Sequence, residues 1–138
     1  MQEVTVSRGV AADPEAVREG FADMEAFMDA AGFDAVTVDG DRVLVERDIG
    51  LAELQLTLEV VETDAELTYE QVEGMFETMT TTYRLDGGDG GTTITAHTNF
   101  ELGGVVGPVL DATLIKRQRT QELEDQLAYL DRVATDSA

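Results

Sequence analysis

Cysteine and tryptophan are missing from this chain, histidine occurs once, proline twice, and basic side chains are few. Without cysteine there is no disulfide, no thiolate metal site and no cysteine nucleophile. With His97 as the lone imidazole, a zinc site would rest on carboxylates, against that ion's preference for several nitrogen or sulfur ligands. Neither a metal nor a cofactor is expected. Lys+Arg number 9 against 29 Asp+Glu, a formal net charge of -20, so a nucleic-acid backbone would be repelled. Long apolar runs are missing too. The most apolar late segment, Leu102 to Leu110, is broken by glycines and Pro108 and is shorter than the ~18 residues a membrane span requires. No basic region and apolar leader precede the first patterned segment, so the protein is expected to stay in the cytoplasm where it was made.

What is present is a spread of Leu, Val, Met, Phe and Tyr making up most of a 43% hydrophobic fraction in 138 residues. A chain of this length buries roughly 70% of its unfolded surface in one core, which predicts a single domain over residues 1–138. The acids are distributed along the whole chain and are read as solvated surface. Such a surface suits the concentrated salt of a halophile's cytosol, where a Debye length of about 3 Å screens its self-repulsion.

Val4, Val6 and Val10 alternate with polar residues, the period of a half-buried strand over residues 2–10. Asp13-Pro14-Glu15 then places a cap before a proline at the first helical position. Val17, Phe21, Met24, Phe27 and Met28 follow at helical spacing, predicting two short helices broken near Gly20 to Asp23 and ended by Gly32. Met24, Phe27 and Met28 suit core packing better than a mobile lid. The period of two returns at Val36 and Val38, turns at Asp39-Gly40-Asp41, and resumes at Val43 and Val45, a strong hairpin pattern. Leu54, Leu56, Leu58 and Val60 form a further strand, and Thr63-Asp64 and Glu73-Gly74 mark turns on either side of Leu67, Tyr69 and Gln71. Met79, Thr81, Tyr83 and Leu85 share a face, as do Ile94, Ala96, Thr98, Phe100 and Leu102. The glycines from Gly87 to Gly91 lead into a strand, without the Lys-Ser/Thr and helix of a phosphate loop, and so make a hairpin.

From Gly107-Pro108 to the end, Val109, Ala112, Leu123, Leu127, Leu130 and Ala134 recur at three- and four-residue spacing. This predicts one amphipathic helix; twenty-six residues at 1.5 Å each reach about 39 Å, enough to cross a sheet. Helices that do not alternate with strands exclude a doubly wound sheet. The expected fold is therefore α+β, a seven-stranded curved antiparallel sheet wrapped around the long C-terminal helix, with two short helices after the first strand closing one end.

Val4-Thr5-Val6-Ser7-Arg8-Gly9-Val10 through Val17, Leu67-Thr68-Tyr69-Glu70 through Gly74, Tyr83-Arg84-Leu85, Gly91-Thr92-Thr93-Ile94-Thr95, and Gly107-Pro108-Val109-Leu110 through Leu127 together resemble the START-like superfamily. These are helix-grip proteins, also called polyketide cyclase/dehydrase or SRPBCC proteins. The likeness covers nearly the whole chain; the tryptophan usual after the proline is absent and the acidity is extreme. Members include lipid carriers, hormone receptors, ubiquinone-binding proteins and polyketide aromatases. The resemblance implies a cavity between sheet and helix and carries no set of catalytic residues.

By face assignment, Leu56, Leu58, Tyr69, Met79, Thr81, Tyr83, Ile94, Thr98 and Phe100 look inward, opposed by Thr120, Leu123 and Leu127. Those residues are expected to line an apolar cavity, with Tyr69, Gln71, Tyr83 and Thr98 as its fixed polar groups; a closed core is the competing expectation. Lys116 interrupts the apolar stripe and is a candidate for a ligand's carboxylate or phosphate at the mouth. Arg117 and Arg119 are expected to pair locally with Asp111, Glu122 and nearby acids on the helix surface. Arg8 has inward parity and needs an acid; His97 has outward parity and is no general base. The functional expectation is binding or carriage of a lipid, isoprenoid, quinone or polyketide-like molecule, with no catalytic residue assigned. A cyclase, dehydratase or hydrolase using a pocket Tyr and an acid is the alternative from the enzyme class, and a protein-interaction module is the third. Oligomeric state is not readable.

Overall fold

Residues 1–48, 53–102 and 112–136 are described by the structure, a computed structural model. The chain runs β1 (Gln2–Val10), α1 (Pro14–Ala22), α2 (Met24–Asp29), β2 (Ala35–Asp39), β3 (Arg42–Asp48), β4 (Glu53–Val61), β5 (Leu67–Glu73), β6 (Phe76–Gly88), β7 (Gly91–Leu102) and α3 (Ala112–Asp136). All seven strands form one antiparallel sheet in the order β1-β7-β6-β5-β4-β3-β2. β2 to β7 are a meander, and β1 joins it from the far end of the sequence, with Val4 opposite Thr98 and Val6 opposite Ala96. The helix-grip architecture expected from the sequence is the one observed.

Local chemistry explains the element boundaries. Asp13 accepts a hydrogen bond from the Ala16 amide at 3.0 Å, with Pro14 opening the helix. Asp23 then ends α1 and caps α2 through the Ala26 amide at 3.1 Å. Two aspartate caps thus split one amphipathic stretch into two helices. Gly40 and Gly90 take positive φ values of 60° and 77° in the two tight hairpins, the conformation that glycine adopts without a Cβ clash. The second hairpin is tighter than the glycine run suggests, since Gly88 already pairs with Gly91.

Two irregularities change which residues face inward. Phe76 pairs with Leu102 and Thr78 with Glu101, so Glu77 is an extra residue and Phe76 turns to the same face as Met79; both are buried. A similar slip opposite Thr57 and Leu58 leaves Val72 unmatched and exposed. Such bulges bend a strand and re-aim the next side chain.

α3 lies on the inner face of the sheet. Ile115, Arg119, Glu122, Leu123, Gln126, Leu127, Leu130 and Ala134 are its buried row. Leu123, Leu127 and Leu130 are fully enclosed; burying a leucine side chain contributes about 1.5–3 kcal/mol. α1 crosses it closely: a Cβ on Gly20 would stand 2.5 Å from Leu130 Cδ2. The expected helix start at Gly107-Pro108, with Val109 and Leu110, lies outside the described residues.

Candidate functional site between the sheet and the closing helix

The middle of the expected cavity is filled. α1 and α2 bring Phe21 and Phe27 onto Tyr83, with ring centroids 5.8 and 5.2 Å from it, and the Tyr69 ring lies 6.0 Å from Tyr83. Leu58, Met79, Thr81, Ile94, Thr98, Phe100, Leu123 and Leu127 are buried around these rings. The residues expected to line an open space instead close a core at that point, because four aromatic rings occupy it. Phe27 and Met28 are fully buried within it and Met24 is half-buried.

The polar groups in this core serve one another. Tyr83 donates to Gln126 Oε1, and Tyr69 OH, 3.0 Å from Tyr83 OH, supplies its own hydrogen to that oxygen. Gln126 in turn reaches Met28 Sδ at 3.7 Å. Burial pushes the Tyr83 phenol well above its ordinary value, with Tyr69 adding to the shift and Arg119 opposing it. Thr81 and Thr98 bond each other at 2.9 Å. Gln71 spends its amide on the β5–β6 turn, donating to Phe76 O at 2.7 Å and accepting from Phe76 N at 3.1 Å. It is therefore a structural clamp and not a free ligand-fixing group.

Free space lies at one end of the core. A cavity of about 30 Å³ is bounded by Val45, Leu54, Leu56, Phe76 and Ile115, with Phe33 and Met75 beside them and Arg47, Gln118, Arg119 and Glu122 as its polar side. Of the residues expected to line a pocket, Leu56 borders this one. A volume of that size accommodates one or two waters. Leu54, Leu56 and Met75 are half-buried wall residues, and unbranched methionine adapts readily to irregular shapes.

Two arginines share one carboxylate beside that space. Arg119 Nη1 donates to Glu122 Oε1 at 2.5 Å, and Arg47 Nε donates to Glu122 Oε2 at 3.0 Å. Arg47 also donates to Ala31 O at 2.8 Å and stacks 5.2 Å over the Phe33 ring. The Gln118 side-chain oxygen, in the amide orientation that suits both partners, accepts from Arg47 at 3.1 Å. Arg119 Nη2 reaches Thr81 Oγ1 at 2.9 Å and Thr98 Oγ1 at 3.5 Å. Burial acts to lower the Arg119 pKa, but the Glu122 carboxylate and the two tyrosines outweigh it and the net shift is upward. The guanidinium stays charged. Among the described residues, Arg119 Nε is the one buried side-chain polar atom without a hydrogen-bond partner. Leaving such a donor unpaired costs ~1–3 kcal/mol, more for a charged group.

Several expectations for the helix and the first strand are corrected here. Arg119 pairs with Glu122, one of the acids expected, but does so inside the core, where it is 7% exposed, and not on the surface. Lys116 is exposed and does not border the cavity, and Thr120 is half-buried with its hydroxyl on Lys116 O at 2.7 Å. The cause is helical phase: the buried row passes through Ile115, Arg119 and Glu122, so Lys116 and Thr120 sit one residue, about 100°, off it. Arg8 reaches its acid, Asp131 on α3, at 2.8 Å, but at the half-exposed edge of β1. His97 is on the outer face, bonded to Thr5 at 2.8 Å.

Arg47 and Phe76 were missed from the sequence, and Glu122 was expected only as a surface partner, although signals placed both Arg47 and Glu122 inside. Arg47 shares strand parity with Val43 and Val45, and Glu122 stands seven residues after Ile115, both inward positions. Phe76 was hidden by the bulge.

A curved sheet gripping a long terminal helix, with an internal cavity between them, defines a helix-grip protein. Residues 1–135 match the family described as polyketide cyclase/dehydrase and lipid transport, and the chain belongs to it. Among solved structures it is similar to a protein from Thermus thermophilus, at TM-score 0.79 and 18% identity over 99% of each chain. It is also similar to a START superfamily protein from Mycobacterium smegmatis, at TM-score 0.72 and 16% identity over 99% of each chain. The ZhuI aromatase/cyclase from Streptomyces sp. R1128 aligns at TM-score 0.67 and 16% identity, covering 99% of this chain and 92% of that one. At these identities the likeness establishes the fold. No protein of curated function matches the sequence.

Proposed function

We propose that this protein binds a hydrophobic small molecule in the space between β3, β4, the β5–β6 turn and the start of α3. The observation that carries the reading is an apolar-walled cavity, bounded by Leu54, Leu56, Phe76 and Ile115, that meets a buried arginine with an unused donor. Apolar walls with a few placed polar groups are the usual make-up of small-molecule sites. Family membership supports it, since that family's description covers both lipid transport and cyclase/dehydrase activity. A ligand enters by displacing the half-buried side chains of Leu54, Leu56 and Met75. The Tyr-and-acid enzyme reading is the weaker one, because the Tyr69 and Tyr83 hydroxyls are bonded to each other and to Gln126. The dense acids fit a high-salt cytosol as the working environment.

The test is native mass spectrometry on the protein isolated from its own host, beside a Met75→Trp variant whose indole fills the cavity. Wild type should carry an added small mass that the folded variant lacks. Equal masses of bare chain in both would overturn the reading.

A further inference from the structure

We propose that the polar end of the ligand is a carboxylate, seated against Arg119 and Arg47, on a short apolar tail. The proposal rests on the binding reading above and narrows its ligand class.

The charge balance of the cavity comes first. Among the described residues, Arg47 and Arg119 share the single carboxylate of Glu122, and every other bordering residue, Gln118 included, is uncharged. Formally this polar side carries +1, inside a chain of net charge -20. The side chains of Arg47, Arg119 and Glu122 are 18%, 7% and 5% exposed, so water does little to compensate the excess. A buried charge without a counter-charge is strongly unfavourable. One further anion would turn two cations and one anion into two matched pairs.

Hydrogen bonding points the same way. Arg119 directs Nη1 to Glu122 and Nη2 to Thr81 and Thr98, which leaves Nε–H without an acceptor. Guanidinium forks match carboxylate geometry and bind it more strongly than a neutral acceptor. A hydroxyl or ketone would satisfy Nε but leave the excess charge, and an ammonium would add to it. The rest of the wall is hydrocarbon, so the anion must bring an apolar tail. The cavity of about 30 Å³ holds one or two waters as it stands, so a tail of hexanoate or benzoate size requires Leu54, Leu56 and Met75 to move aside. The segments outside the described residues contain one charged residue, Asp111, which is the competing source of a counter-ion.

The experiment titrates the full-length chain, labelled with ¹³C at the methionine methyls, with sodium hexanoate, 1-hexanol and hexylammonium chloride in separate series. Hexanoate should shift the Met75 methyl and leave Met24 in place, with a Kd about tenfold or more below that of hexanol; hexylammonium should not bind. Arg119→Met should erase the preference for hexanoate over hexanol. Because that variant can fail to fold, Arg47→Met serves as the second, with the same expected loss. Hexanol binding as tightly as hexanoate in wild type would overturn the carboxylate while leaving the binding reading intact, the result expected if Asp111 supplies the counter-charge. A Met75 methyl unmoved by all three would overturn both.

Discussion

Tyr83 on β6 donates its hydroxyl hydrogen to Oε1 of Gln126 on α3, across an interface from which water is excluded. The bond ties the centre of the sheet to the middle of the helix that the sheet encloses. Tyr69 completes the chain by donating to Tyr83, so removal of the middle member leaves two buried groups unpaired.

Tyr83→Phe should therefore destabilise the protein by about 1–3 kcal/mol, the range for orphaning buried hydrogen-bond partners. Urea denaturation checks this. Gln126→Met in the same background should cost much less than it does in wild type, since its partner is already gone.

The same phenol predicts the alkaline limb of stability. Its folded pKa lies above the unfolded value, mainly through burial. The folded state therefore holds the proton more tightly, and its stabilising contribution is complete below the unfolded tyrosine pKa of about 10. Above that pH the unfolded chain releases a proton that the folded chain keeps, and stability falls as pH rises. Urea midpoints between about pH 9 and 11 should decline, with a shallower decline in Tyr83→Phe.

Among the described residues Glu122 is the carboxylate that Arg47 and Arg119 share, and the two ends of this network should respond unequally. Glu122→Gln leaves two guanidinia close together and should cost about 3–5 kcal/mol, the range for breaking a buried ion pair from one side. Arg119→Met leaves Glu122 with Arg47 and should cost less. Denaturant midpoints of the two variants in one buffer decide the order; equal losses would show that the carboxylate is not shared.

The surface makes a further prediction through its charge of -20. If the acids suit concentrated salt, the melting temperature should climb steadily between about 0.1 and 2 M KCl as the Debye length falls from about 10 Å to below 3 Å. A melting temperature flat across that range would remove the halophilic reading.

Much of the fold was legible because its signals are local. Pro14 after Asp13, Gly40 in its hairpin, and the strict alternation through Leu54, Leu56 and Leu58 each specify backbone geometry within a few residues. The candidate site was less legible because its determinants are either non-local or a matter of phase. Expecting Lys116 at the cavity mouth and Arg119 on the surface misplaced the helix's inward stripe by one residue, roughly 100°; of Lys116, Arg117 and Arg119, Arg119 alone is buried. The bulge at Glu77 reverses the parity of Phe76 relative to Met79, and no composition rule announces it. How far Phe21 and Phe27 reach into the sheet's hollow depends on where α1 and α2 dock, which is set by contacts such as Gly20 against Leu130.

The most direct test is the electron density of crystals grown from protein purified out of its own host. The account predicts a continuous non-protein feature packed between Leu56, Met75 and Ile115, with its polar end about 3 Å from Arg119 Nε. Density for isolated waters alone, or side chains collapsed across that space, would contradict it.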